Sequence, residues 1–106
     1  MPKYLTEVSY SAEGVKGLIK DGGSKRKQVV EAGVQKAGGK LEAFYFAFGS
    51  NDAFVIVDLP NNVSAAALNL AVTASGAARC RTVVLLTPQE IDEASKKDLA
   101  YTPPGH

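Results

Sequence analysis

Few residues in this chain of 106 are equipped for chemistry, and their positions narrow the choice further. The only histidine, His106, is the final residue, and the only cysteine is Cys80. A Ser-His-Asp triad or a multi-histidine metal centre inside the fold is therefore excluded, and Cys80 has no histidine to activate it. No GxGxxG, GxSxG or GxxxxGK[ST] spacing occurs, so dinucleotide, serine-hydrolase and P-loop chemistry lack their signals. No catalytic residue, metal or cofactor is assigned on these grounds. What remains is a set of phenols, amides and charges: Tyr10, Tyr45, Asn51, Asp52, Arg79 and Arg81.

Arg79 and Arg81 alternate along an extended segment and so project together, where two guanidinium groups can clamp an anionic ligand. The plainer alternative pairs them with Glu7 or Glu42 on neighbouring strands, an arrangement worth little when exposed. Asp52 suits a turn. Tyr45 suits a core position whose hydroxyl needs a partner, and Tyr10 an amphipathic cover at a sheet edge. Cys80 falls opposite both arginines and reads as a small buried apolar residue. A second anion candidate is the run Gly22-Gly23-Ser24 followed by Lys25, Arg26 and Lys27. Backbone amides opening a helix there, assisted by cations, could hold a phosphate or carboxylate; a solvated charged face is the simpler reading.

These groups must be positioned by the elements around them, and the stretch from Lys40 to Leu59 dominates those. It reads as two strands joined by a tight turn at Gly49-Ser50-Asn51-Asp52. Phe44, Phe46 and Phe48 alternate with Leu41, Ala43, Tyr45 and Ala47, while Phe54 and Ile56 alternate with Ala53, Val55, Val57 and Leu59. A half-solvated sheet alternates polar and apolar residues. This hairpin is apolar on both faces, so each face requires a cover.

The other elements follow in order. Lys3 to Ser9 forms a first strand with Tyr4, Thr6 and Val8 on one face and Lys3, Leu5, Glu7 and Ser9 on the other. Ser11 caps a short helix with Val15, Leu18 and Ile19 inward. Asp21-Gly22-Gly23 breaks it and Ser24 caps a restart, whose inward stripe is Val30, Gly33, Val34 and Ala37. Gly38-Gly39 stops that helix. Asn61 or Asn62 caps an alanine-rich helix from Val63 to about Ser75, closed by Gly76. A last strand runs from about Ala78 to Leu86. Thr87-Pro88-Gln89-Glu90 then opens a short helix with capping-box spacing, and residues 99–106 form a tail.

Composition is that of an ordinary soluble domain: 45% hydrophobic, 22% charged, net charge +1. That balance gives no nucleic-acid footprint, and no run is long enough to span a membrane. One lone cysteine fits a reducing, cytoplasmic setting. The chain is expected to be one domain, with an ordered core over about 3–98.

The element order predicts an α+β fold: a ferredoxin-like βαββαβ unit with a four-stranded antiparallel sheet, helices on one face and an extra short C-terminal helix. The face without helices would leave too large an apolar patch for a monomer. A homodimer is the economical cover, burying Phe44, Phe46, Phe48, Phe54 and Ile56; a trimer or a bound ligand is the alternative.

The runs FYFAFGSNDAFVIVDLP, SAAALNLAV and RTVVLLTPQEID, with YLTEVSYSAEGVKGLIKDGGSKR before them and YTPPG after, resemble the GYD-domain family of small bacterial and archaeal proteins over nearly the whole chain. The Gly-Tyr-Asp signature of that family corresponds here to Gly49-Ser50-Asn51-Asp52, with Asn51 at the tyrosine position. The resemblance implies a dimeric α+β barrel, a type that includes cofactor-free oxygenases and isomerases. Three functions are consistent with these observations. The first is a homo-oligomeric module binding a small organic or anionic molecule without turnover, in a regulatory role. The second is a cofactor-independent enzyme, which would need a pocket group of strongly shifted pKa. The third is a structural subunit with a filled barrel. A pocket, and the groups lining it, discriminates among them.

Overall fold

The computed structural model describes all 106 residues, Met1–His106. Eight elements follow one another: β1 (Lys3–Tyr10), α1 (Ala12–Asp21), α2 (Gly23–Lys36), β2 (Lys40–Phe46), β3 (Ala53–Asp58), α3 (Asn62–Ala74), β4 (Ala78–Leu85) and α4 (Pro88–Ser95). The four strands form one antiparallel sheet in the order β2-β3-β1-β4, so the first strand is central and flanked by β3 and β4. This is an α+β architecture with the broken first helix resolved as two.

Alternation along β1 divides the sheet as its sequence predicts. Tyr4 and Val8 are buried on one face, in register with Val57 and Ala53 of β3 and with Val84 and Cys80 of β4. On the other face Lys3, Leu5, Glu7 and Ser9 lie beside Asp58, Ile56 and Phe54 on one side and Leu85, Val83, Arg81 and Arg79 on the other. The buried cluster, including Tyr4, Val34, Val55, Val57, Leu59 and Ala65, lies between the first face and the helices. The second face carries no helix of the main body. There Lys3 bonds Asp58 at 2.9 Å and Glu42 at 3.1 Å, linking three strands at the surface.

A register shift between Leu41 and Ala43 corrects the expected division of β2. Glu42 is the extra residue of this bulge, so Leu41 falls on the same face as Phe44 and Phe46 instead of opposite them. Phe44 and Phe46 therefore turn towards the helices, and their rings meet at 5.0 Å between centroids in a tilted pair. The connection to β3 is also longer than a tight turn. Ala47 to Asp52 form a six-residue loop between the two strands, with Phe48 fully exposed in it. The Asp52 amide donates to the Val8 carbonyl at 2.8 Å and its carboxylate accepts from the Tyr10 amide at 2.8 Å. Asp52 thus ties the loop to the central strand, which a two-residue turn would not reach.

Helix ends follow local chemistry, with one correction. Ser11, Asn61 and Thr87 cap α1, α3 and α4, each accepting an amide of the first turn, and Glu90 completes a capping box with Thr87. The N-cap of α2 is Gly22 with φ of 85°, not Ser24, which lies inside the helix. The positive φ is what lets α1 stop and α2 begin with a single residue between them. Helix α1 is also rotated relative to its predicted stripe. Val15 and Ile19 are exposed, 79% for Ile19, while Gly14 and Leu18 face the sheet side. The reason is close approach: a Cβ at Gly14 would overlap the Ala77 carbonyl oxygen.

The C-terminal segment does not join this body. Every residue of α4 and of 96–106 is exposed. The molecule measures 57 × 32 × 22 Å with a radius of gyration of 16.9 Å, against about 13 Å for a compact domain of this size.

Two glycines of α1 give opposite expectations. Gly14→Ala should destabilise the fold by about 1–3 kcal/mol through the forced overlap. Gly17 has nothing within 4 Å of an added Cβ, so Gly17→Ala should stabilise by up to about 1 kcal/mol through helix propensity. Urea unfolding at one fixed protein concentration checks both.

Candidate functional site

The helices do not fill the space above the sheet. A cavity of about 450 Å³ opens between the helix-side face of the sheet and α1, α2 and α3. Its walls are mostly apolar, with Val8, Val55 and Val57 from the sheet, Val30 and Val34 from α2 and Leu68 and Val72 from α3. Small residues make the room: Gly14 and Gly17 on α1, Gly33 on α2, Ala65 on α3. A helix turning glycine and alanine towards a sheet removes the side chains that would otherwise close the gap.

The polar groups in this cavity are few and grouped. Thr6 and Thr82 sit side by side in register on β1 and β4, and both line it. Asn69 of α3 reaches the Thr82 hydroxyl at 3.5 Å and accepts from Thr73 at 3.2 Å. Glu13, Asp21 and Arg26 also line it, from α1 and α2. The Tyr4 ring is buried in the wall, and its hydroxyl donates to Asn62 at 2.6 Å.

The structure brings one of the six sequence-predicted ligand residues into this cavity. Tyr10 ends β1 on the helix side and lines the cavity, half-buried, instead of serving as an outer cover. Burial pushes its phenol above the ordinary tyrosine value; the nearby Arg26 guanidinium works against that shift, and Asp52 and Cys80 reinforce it. Asp52 and Asn51 sit in the loop at the end of β1, where Asp52 holds the Tyr10 amide and Asn51 accepts from Ser9 at 3.4 Å. Tyr45 lies on the helix-free face of β2 and is 71% exposed, so it is not a core residue. Arg79 and Arg81 also lie on that face and are exposed. Neither forms an ion pair with Glu7 or Glu42; Glu42 is engaged by Lys3 instead.

The five aromatic and aliphatic residues expected at an interface separate in the same way. Phe54 and Ile56 lie on the helix-free face, Phe44 and Phe46 on the helix side, and Phe48 in the loop. Phe46 is close to Gly23 at the start of α2, where a Cβ would come to 2.9 Å of its ring.

Sequence reasoning passed over Thr6, Thr82 and Asn69 as site residues; of the anion candidate at the start of α2 it is Arg26 that lines the cavity. Thr6 and Thr82 were detectable in principle, as hydroxyls on strand faces otherwise apolar. Cys80 is partly buried against the core, close to its expected role, and lines the cavity. Burial raises its thiol above the usual range. Both Tyr10 and Cys80 therefore stay protonated near neutrality, a hydrogen-bond donor and an apolar wall.

A raised folded-state value for Tyr10 makes its contribution to stability fully present below about pH 10 and lost as pH rises through the folded value. Tyr10→Phe should remove a late-ionising component from the tyrosinate absorbance titration and flatten the alkaline loss of stability. If the component lost lies in the ordinary tyrosine range instead, that phenol is in water.

No curated protein matches the chain. The family model of the GYD domain matches residues 4–95, from the buried Tyr4 of the central strand to the end of α4. The chain belongs to the GYD domain family.

Proposed function

We propose that this GYD-domain chain is a homo-oligomeric module that binds a small organic molecule in the cavity between its sheet and helices, in a regulatory role without turnover. The observation that carries the reading is the cavity itself. Its 450 Å³ lies within the range of about 300–1,000 Å³ found for small-molecule sites, and an apolar lining with a few grouped polar residues is their usual chemistry. Apolar wall left facing water in so large a cleft is unfavourable, and covering it is the driving force for binding. A bound apolar molecule covers that wall. Thr6, Thr82 and Asn69 provide the polar contacts that orient it.

Binding is favoured over a cofactor-independent oxygenase or isomerase by the state of the cavity groups. A general base works best with a pKa near the operating pH. The Tyr10 phenol and Cys80 thiol are both displaced upward, away from neutrality. The cavity also weighs against a purely structural subunit, which would fill that volume with side chains.

The fold belongs to this reading as a ferredoxin-like unit of a dimeric α+β barrel. The strand order supports it, as does the helix-free face, where Leu5, Phe54, Ile56 and Val83 lie together on three adjacent strands. A second sheet packed there would cover that face.

Thermal-shift screening of apolar small molecules against wild type and Thr6→Phe tests the site. Phe at position 6 should occupy the cavity, so ligands that raise the wild-type midpoint should leave the variant unmoved. A ligand at about 100 times its Kd adds about 2.7 kcal/mol of stability. Compounds that shift both proteins equally would place binding elsewhere.

A further inference from the structure

The C-terminal arm, residues 86–106, is an ordered segment with nothing to pack on. Helix α4 has a complete capping box, and its eight residues, like the eleven that follow, are all exposed. Helices this short are marginal in water and owe their stability to packing of an apolar face. The arm carries such groups unburied: Leu86, Ile91, Leu99 and Tyr101 are 57%, 52%, 82% and 77% exposed. Beside them α4 bears Glu90, Asp92 and Glu93, and none forms an ion pair.

The helix-free face of the sheet has the complementary deficit. Arg79 and Arg81 stand there without carboxylate partners. Val83, two residues along the same face, is 46% exposed and is followed by Leu85. An acidic helix with an apolar side and a strand bearing two arginines beside an apolar strip match in both charge and hydropathy. They do not meet within one chain, where every residue of α4 and of the tail is exposed.

The surface area gives the same answer in magnitude. A folded monomer of 11.1 kDa exposes about 5,700 Å². This chain exposes 7609 Å², a surplus of about 1,900 Å² over a compact monomer. Obligate homodimers bury about 1,000–2,500 Å² on each protomer. The surplus is of the size that such an interface removes.

We infer that the C-terminal arm docks on a second copy of this chain, α4 lying along the β4 edge of that copy's sheet, beside the packed helix-free faces, with Asp92 against Arg79 and Arg81 of that copy. The exchange is reciprocal, each copy giving one arm and receiving one, which closes the assembly as a two-fold dimer. This assignment rests on the homo-oligomeric reading above and deepens it by naming the surface. The two arginines are docking groups for the arm rather than a clamp for a small anion.

The test uses the full chain throughout. Sedimentation of wild type should give a dimer of about 22 kDa, twice the chain mass. Arg79→Glu with Arg81→Glu should raise the dimer dissociation constant about tenfold or more. Adding Asp92→Lys to that chain should restore most of it, an outcome that generic misfolding does not produce. A photoreactive benzoylphenylalanine placed at position 91 reports the contact independently. It should crosslink between chains, to the β4 peptide at the sheet edge. A wild-type dimer whose affinity ignores the arginine substitutions, and whose position-91 crosslinks stay within one chain, would overturn the arm assignment while leaving oligomerisation standing. A wild-type monomer would overturn both.

Discussion

The structure depends on one constraint: the sheet presents apolar side chains on both faces, and the chain provides helices for only one. Tyr4 and Val8 go under the helices and are buried. Leu5, opposite them, goes to the helix-free side with Ile56 and Val83 as neighbours. Strand geometry leaves no choice, because a one-residue slip would exchange the two sets wholesale. The register is pinned at both ends of the central strand. Lys3 holds Asp58 and Glu42 at one end, and Asp52 holds the Val8 carbonyl and the Tyr10 amide at the other.

The covered face is where the fold becomes a container. Gly14 lets α1 approach the Ala77 carbonyl closely at one point, and that contact leaves the glycine-lined remainder of the helix standing off the sheet. Helices α2 and α3 likewise turn glycine and alanine towards each other, with Gly33 near Leu68. The result is an apolar volume with hydroxyls and an amide concentrated around Thr6, Thr82 and Asn69. Only nine residues are buried in this chain of 106. So small a core makes any further burial, by a ligand or by a second copy, a large share of a stability that is only about 5–15 kcal/mol in a domain.

Much of this was legible in the sequence because it depends on local rules. The alternation of β1, the caps at Ser11, Asn61 and Thr87, and the stop at Gly38 are each set by residues within one turn of the feature. Apart from the cap of α2, the misread features depend on distant partners. The bulge at Glu42 moved Leu41 to the face of Phe44 and Phe46, and no local signal marks it; Lys3, far along the chain, engages the residue it turns outward. The loop before β3 is long because Asp52 must reach β1. The rotation of α1 answers to a carbonyl after α3. The cavity was the least legible feature, since small residues on a helix signal close packing as readily as open space.

The central claim is that the space between sheet and helices is a ligand site, and native mass spectrometry tests it most directly. Protein purified gently from its own cells should carry a reproducible added mass of one small molecule per chain. A bare mass in every preparation, with the chain folded and no added mass retained, would contradict the account.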